Sequence, residues 1–116
     1  MEYILFIALF IKHFYIDFVN QSIEEVRAKG IWGDPLGFLH SLKHGIVTTL
    51  ILLDFTNIQT ALLIGYIEIL IHYVTDYIKM SKGCQDSENK LYWIHLGADQ
   101  LVHYMTYLGI VYWIFQ

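Results

Sequence analysis

The chain has 116 residues, of which 56% are hydrophobic and 16% charged, and its mean hydropathy is +0.46. Soluble domains carry about 25% charged residues, so a disordered chain is excluded and two classes remain, an unusually apolar soluble bundle or a membrane protein. The net charge of −4 without a basic patch argues against nucleic-acid binding, and the single cysteine, Cys84, rules out a disulfide scaffold.

One domain over residues 1–116 is expected. The first apolar stretch, 3–19, ends in HFYIDFVNQ, where His13 and Asp17 are four residues apart and therefore share a helical face. It lacks a basic start and a small-residue cleavage site, so it reads as retained and not as a signal peptide. A polar connection, Asn20 to Pro35, with Gly30 and Gly33, leads to the second stretch, 36–53, which contains LHSLKHG with His40 and His44. After a short turn, Asp54 to Asn57, the third stretch, 58–78, carries IHYVTDYIK with His72 and Asp76. The polar loop SKGCQDSENK precedes the fourth, 92–115, which contains ADQLVHY with Asp99 and His103. No segment alternates with period two, and each stretch is near the roughly 20 residues a membrane crossing requires. The expected fold is all-α, an integral membrane antiparallel four-helix bundle.

Arg27 and Lys29 lie in the first connection, and Lys79, Lys82 and Lys90 flank or lie in the third. Two crossings separate these loops, and Lys12 and Lys43 lie toward the same side, so all seven basic residues fall in one half. The positive-inside rule makes that half cytoplasmic, in an inner or cytoplasmic membrane with both termini outside. Trp32, Trp93 and Trp113 suit interfacial positions.

Each helix thus contributes one pair of ionisable residues at i, i+4 spacing, and antiparallel packing brings all four pairs to a similar depth. At about 1.5 Å per residue, most lie within roughly 15 Å of the cytoplasmic boundary. Unpaired charge there is costly, and a divalent cation resolves the cost. Imidazole and carboxylate ligands suit zinc, manganese or iron, as one or two ions, held by His13, Asp17, His40, His44, His72, Asp76, Asp99 and His103. A proton or ion pathway uses the same residue types.

Other residues keep two readings each. His95 is a further ligand or, preferably, an interfacial histidine. Glu68 is a general base or a group orienting a ligand, or it pairs with Lys12 or Lys43. Gln21 and Gln100 can hydrogen-bond a ligand or substrate, and Lys79 holds an anionic substrate or, preferably, anchors the helix end. Cys84 reads as an incidental thiol.

These motifs resemble the small prokaryotic and phage membrane proteins called domain of unknown function 3307. That family's pattern corresponds to His13, Asp17, Phe18 and Gln21; His40 and His44; His72, Asp76 and Lys79; and Asp99, Gln100 and His103, over nearly the whole chain. Glu68 and His95 have no counterpart in it. The resemblance implies a membrane protein without a defined activity, and it is similar only in type to membrane-bound metal-dependent hydrolases.

The function expected is a membrane-embedded metal-dependent hydrolase opening to the cytoplasm, with Asp99 or Glu68 as general base and a phosphoester or lipid-linked small molecule as substrate. The lipid bilayer is the expected surrounding partner. The alternatives are a metal or proton transporter or sensor, favouring a homo-oligomer, and a structural subunit with a metal staple.

Overall fold

The structure is a computed structural model and describes residues 1–116. Five α-helices follow one another, α1 (Glu2–Phe14), α2 (Ile23–Ala28), α3 (Pro35–Leu52), α4 (Ile58–Lys82) and α5 (Lys90–Phe115), with no strand. The start signals are local. Asp34 caps α3 by accepting from Leu36 N at 2.9 Å, with Pro35 in the first turn. Asn57 and Asn89 cap α4 and α5 through Thr60 N and Leu91 N, each at 2.9 Å.

Two features depart from the sequence-based expectation. The first helix is not α-helical throughout, because Tyr15–Val19 forms a π-helical turn, closed by Asn20 N to Tyr15 O at 2.7 Å. A π turn rotates the residues it contains relative to an α-helical register, and it carries Asp17. The first connection is not a plain polar loop, since it folds α2. Ser22 accepts from Glu25 N at 3.1 Å, the first half of a capping-box pattern. Elsewhere α4 runs four residues past the expected end, to Lys82, and α5 begins two residues early, at Lys90. Polar residues continue a helix where its end is solvated.

The tightest helix pair is α3 with α4. A Cβ at Gly65 would stand 2.8 Å from Gly45 O, and one at Gly45 would stand 2.6 Å from Gly65 O. Only glycine at both positions permits this approach. The approach is what lets the His44 and His72 rings stack with centroids 3.7 Å apart.

The interior is divided along the bundle axis. At one end Leu5, Leu9, Leu52, Ala61, Ile64, Tyr107, Ile110 and Val111 form an apolar core. At the other end the same helices turn ionisable side chains inward. Of 27 buried residues, 14 are polar or charged, whereas the outer surface is apolar, with residues such as Ile4, Ile7, Leu50, Leu62 and Met105 more than half exposed. This inverts the ordinary soluble arrangement. Of the four segments expected to cross a membrane, only one helix, Ile58–Lys82, is long and apolar enough to do so, because ionisable residues interrupt the others.

Candidate metal centre

Five histidines and three aspartates meet in the polar half. Every ring presents Nε2 to a carboxylate. His40 Nε2 and His44 Nε2 lie 2.9 and 2.8 Å from Asp17 Oδ1, and His72 Nε2 lies 3.7 Å from the same oxygen. His13 Nε2 is 3.4 Å from Asp17 Oδ2. Asp76 Oδ2 lies 3.1 Å from His72 Nε2 and 3.6 Å from His40 Nε2, while His103 Nε2 sits between Asp76 Oδ1 (3.3 Å) and Asp99 Oδ1 (3.4 Å).

Two sets emerge, Asp17 with His40, His44 and His72, and His72 with Asp76 and His103, each with its ligand atoms within 4.8 Å of one another. Ligands held 2.0–2.2 Å from one ion stand roughly 3–4 Å apart, so both sets are of a size to hold a metal ion. A second observation concerns the unsatisfied atoms. His72 Nε2, His103 Nε2, Asp76 Oδ2 and Asp99 Oδ1 are buried without a hydrogen-bond partner, although their contacts are only 3.1–3.4 Å. Buried polar atoms are nearly always paired. In the second set, inward-facing nitrogen and oxygen atoms that do not bond one another suit a cation between them; in the first, His40 and His44 hydrogen-bond Asp17 Oδ1, contacts that a cation would replace.

The outward Nδ1 atoms are backed by a further layer. His44 Nδ1 faces Lys12 Nζ at 3.2 Å and Glu68 Oε1 at 4.0 Å, and Lys12 and Glu68 are ion-paired to each other. His40 Nδ1 faces Glu25 Oε2 at 3.8 Å, and Glu25 is held by Lys43 at 2.5 Å. His13 Nδ1 bonds the Tyr107 hydroxyl at 2.9 Å. Two of the rings, one turn apart on α3, thus each have a glutamate behind them that is itself neutralised by a lysine. At 3.8 and 4.0 Å these carboxylates are not hydrogen-bonded to the rings, and the nearest partner of His44 Nδ1 is the Lys12 ammonium, which donates to it.

Six of the eight proposed ligands are therefore brought into two sets on α3, α4, α5 and the π turn, while His13, whose Nε2 donates to Gln100, and Asp99 stand at the border of the cluster. Glu68 lies one turn deeper, and of its earlier readings the pair with Lys12 is the one formed. Gln100 bridges the site, accepting from His13 Nε2 at 2.7 Å and donating to Asp99 Oδ2 at 3.0 Å. Gln21 donates to the carbonyl of Asp17. Lys79 Nζ is 3.6 Å from Asp99 Oδ2. His95 stands apart from the cluster, where its Nδ1 accepts from Cys84 N at 2.8 Å. Gln21, Lys29, Lys79, His95 and Gln100 line a cavity of about 270 Å³ whose floor includes Asp17.

Sequence reasoning assigned no role in the site to Glu25, Lys29 or Tyr107. Tyr107 is four residues after His103 on the same face, a spacing that carried the signal. Glu25 was legible only as a capping residue. Lys29 gave no signal. It reaches Asp76 Oδ2, at 3.3 Å, because α2 lies against α3, where a Cβ at Gly37 would come 2.9 Å from Ala28 O, and because Gly30 abuts Met80.

No curated protein and no solved structure matches the chain. The family described as protein of unknown function (DUF3307) matches residues 5–116, which contain all eight candidate ligands. The chain belongs to that family.

Proposed function

We propose that the chain is a membrane-embedded, metal-dependent hydrolase. In this reading α1, α3, α4 and α5 form an antiparallel four-helix bundle across the inner or cytoplasmic membrane, with both termini outside and the site on the cytoplasmic side. The apolar outer surface, the seven basic residues in one half and the exposed Trp32, Trp93 and Trp113 support this placement. The observation that carries the hydrolase reading is the surplus of ligands beside an open cavity. A structural zinc ion uses four ligands and no open position, whereas here six residues form two ligand-sized sets sharing His72, and a cavity reaches one of them, Asp17.

His40, His44 and Asp17 would hold one ion, and Asp76 and His103 a second. His72 belongs to both sets and can serve either ion. Zinc, manganese or iron in such a site supplies a water acidified to near neutrality and polarises a phosphoryl or carbonyl oxygen. The protein's own groups do the rest. Asp99, whose Oδ1 has no hydrogen-bond partner, is placed to accept the proton of the attacking water as general base. Glu68, paired with Lys12 behind His44, acts as a positioning group. Gln100 holds His13 and Asp99 in register.

A proton or metal transporter needs a polar path through the bundle, but below the cluster the interior is filled by Leu5, Leu9, Leu52 and Ile64. A metal staple leaves the ligand surplus and the cavity without a role. The test is elemental analysis of the protein purified without chelator, wild type beside Asp99→Ala, together with turnover of a generic phosphoester and a generic carboxyl ester. One or two equivalents of transition metal and metal-dependent turnover are expected, with Asp99→Ala folded but inactive. Wild-type protein free of transition metal would overturn the reading.

A further inference from the structure

The cavity above the metal centre has charge chemistry that the eight ligands do not explain. Two ammonium groups point into its walls from different elements, Lys29 after α2 and Lys79 near the end of α4. Lys29 is only 6% exposed, an expensive location for an ammonium group. Its ion-pair partner Asp76 Oδ2, at 3.3 Å, is met without hydrogen-bond geometry, so ammonium donors remain for a ligand. Lys79 Nζ stands 3.6 Å from Asp99 Oδ2. The amides of Gln21 and Gln100 line the same space.

Charge decides what fits. Lys12 with Glu68 and Lys43 with Glu25 cancel as pairs. Asp17, Asp76 and Asp99 then oppose Lys29 and Lys79, leaving one negative charge. One divalent cation makes the site singly positive, and two make it triply positive. Once the carboxylates share their charge with a metal ion, Asp76 and Asp99 neutralise Lys29 and Lys79 less fully. A poorly solvated site with unmatched positive charge selects an anion. Donors on separate walls suit an anion with several oxygens, and a phosphate monoester carries −1.5 to −2 charges at neutral pH.

We propose that the substrate is a phosphate monoester whose dianionic phosphate binds between Lys29 and Lys79, above Asp17. This rests on the metal-centre reading of the same site. Lys79 and His95 also border a second space, a groove of about 350 Å³ on the outer face between α4 and α5, lined by Ile78, Ala98, Asp99 and Val102. An alkyl chain esterified to the phosphate has room to leave the site along that groove. A soluble ester would enter through the axial cavity.

The experiment uses full-length protein in mild detergent, loaded with zinc or manganese, its metal content measured, and titrated calorimetrically with inorganic phosphate. Lys29→Met and Lys79→Met should each weaken phosphate binding about tenfold or more while leaving metal content unchanged, because each removes a charge-assisted contact. Lys79→Arg should restore most of the affinity. Metal-loaded protein that binds no phosphate, or binds it equally in both methionine variants, overturns this inference and leaves the metal centre standing. Protein that takes up no metal overturns both. Glycerol phosphate compared with long-chain phosphatidate in micelles then separates the sources. Lysine-dependent binding of either supports the proposal, and the tighter ligand names a soluble or a membrane-borne ester.

Discussion

Removing Lys12 isolates the energetic role of the layer behind the histidines. Its ammonium pairs with Glu68 and lies 3.3 Å from the Tyr107 hydroxyl and 3.2 Å from His44 Nδ1, and the side chains of Lys12 and Glu68 are only 2% and 1% exposed. Lys12→Met preserves the volume and leaves a buried carboxylate, one of whose oxygens, Oε2, already lacks a hydrogen-bond partner. Breaking one side of a buried ion pair costs about 3–5 kcal/mol. Glu68→Gln keeps the shape but leaves the Lys12 ammonium buried without a counter-charge, and should likewise cost about 3–5 kcal/mol. The double variant Lys12→Met/Glu68→Leu removes both charges. It should recover most of the loss, falling within about 2 kcal/mol of the wild type. The assay is denaturant unfolding in detergent, read as a shift of midpoint at constant slope. Metal titration of the same proteins provides an independent readout, since loss of the Lys12–Glu68 pair behind His44 should weaken metal binding about 10–100-fold. Additive costs in the double variant, within about 0.5 kcal/mol of the sum of the singles, would refute the idea that the pair acts as one neutral unit.

His72→Ala should lower metal stoichiometry more than His13→Ala, because His72 belongs to both ligand sets, and elemental analysis of the two variants checks this. Gly65→Val places a side chain against Thr49 and the backbone of Gly45; it should destabilise by about 1–3 kcal/mol and loosen the histidine cluster, seen as a lower unfolding midpoint together with weaker metal binding. Ser22→Ala should cost about 1 kcal/mol by uncapping α2, and if α2 carries Lys29 to the site, phosphate affinity should fall with it. Chelation should lower stability by an amount that grows with the logarithm of the free metal concentration, about 2.7 kcal/mol when the metal had been present at 100 times its dissociation constant; a chelator without effect on either melting or metal content would count against a bound ion.

Much of the site was legible because it is written in local spacing. The i, i+4 pairs on four segments assign each ligand to a face, and antiparallel connectivity assigns the faces to one level, so His13, Asp17, His40, His44, His72, Asp76, Asp99 and His103 could be named without coordinates. The capping residues Asp34, Asn57 and Asn89 likewise mark helix starts by local chemistry. Glu25 and Lys29 were not legible, because their roles arise from the way α2 lies against α3 and α4. That contact depends on close backbone approach at Gly37 and Gly30, which no periodicity encodes.

The sequence by itself determined that the chain is helical, that four apolar segments carry matched ionisable pairs, and that these pairs lie on the side rich in basic residues. Helical spacing and hydropathy are properties of neighbouring residues, and they survive without knowledge of the fold. Tertiary structure alone decided that Tyr15–Val19 winds as a π turn, that all five imidazoles present Nε2 inward, and that Glu68 belongs to Lys12. These outcomes depend on which side chains meet across helices and how closely the backbones approach. The Gly45–Gly65 crossing sets that distance between α3 and α4, where the His44 and His72 rings stack 3.7 Å apart.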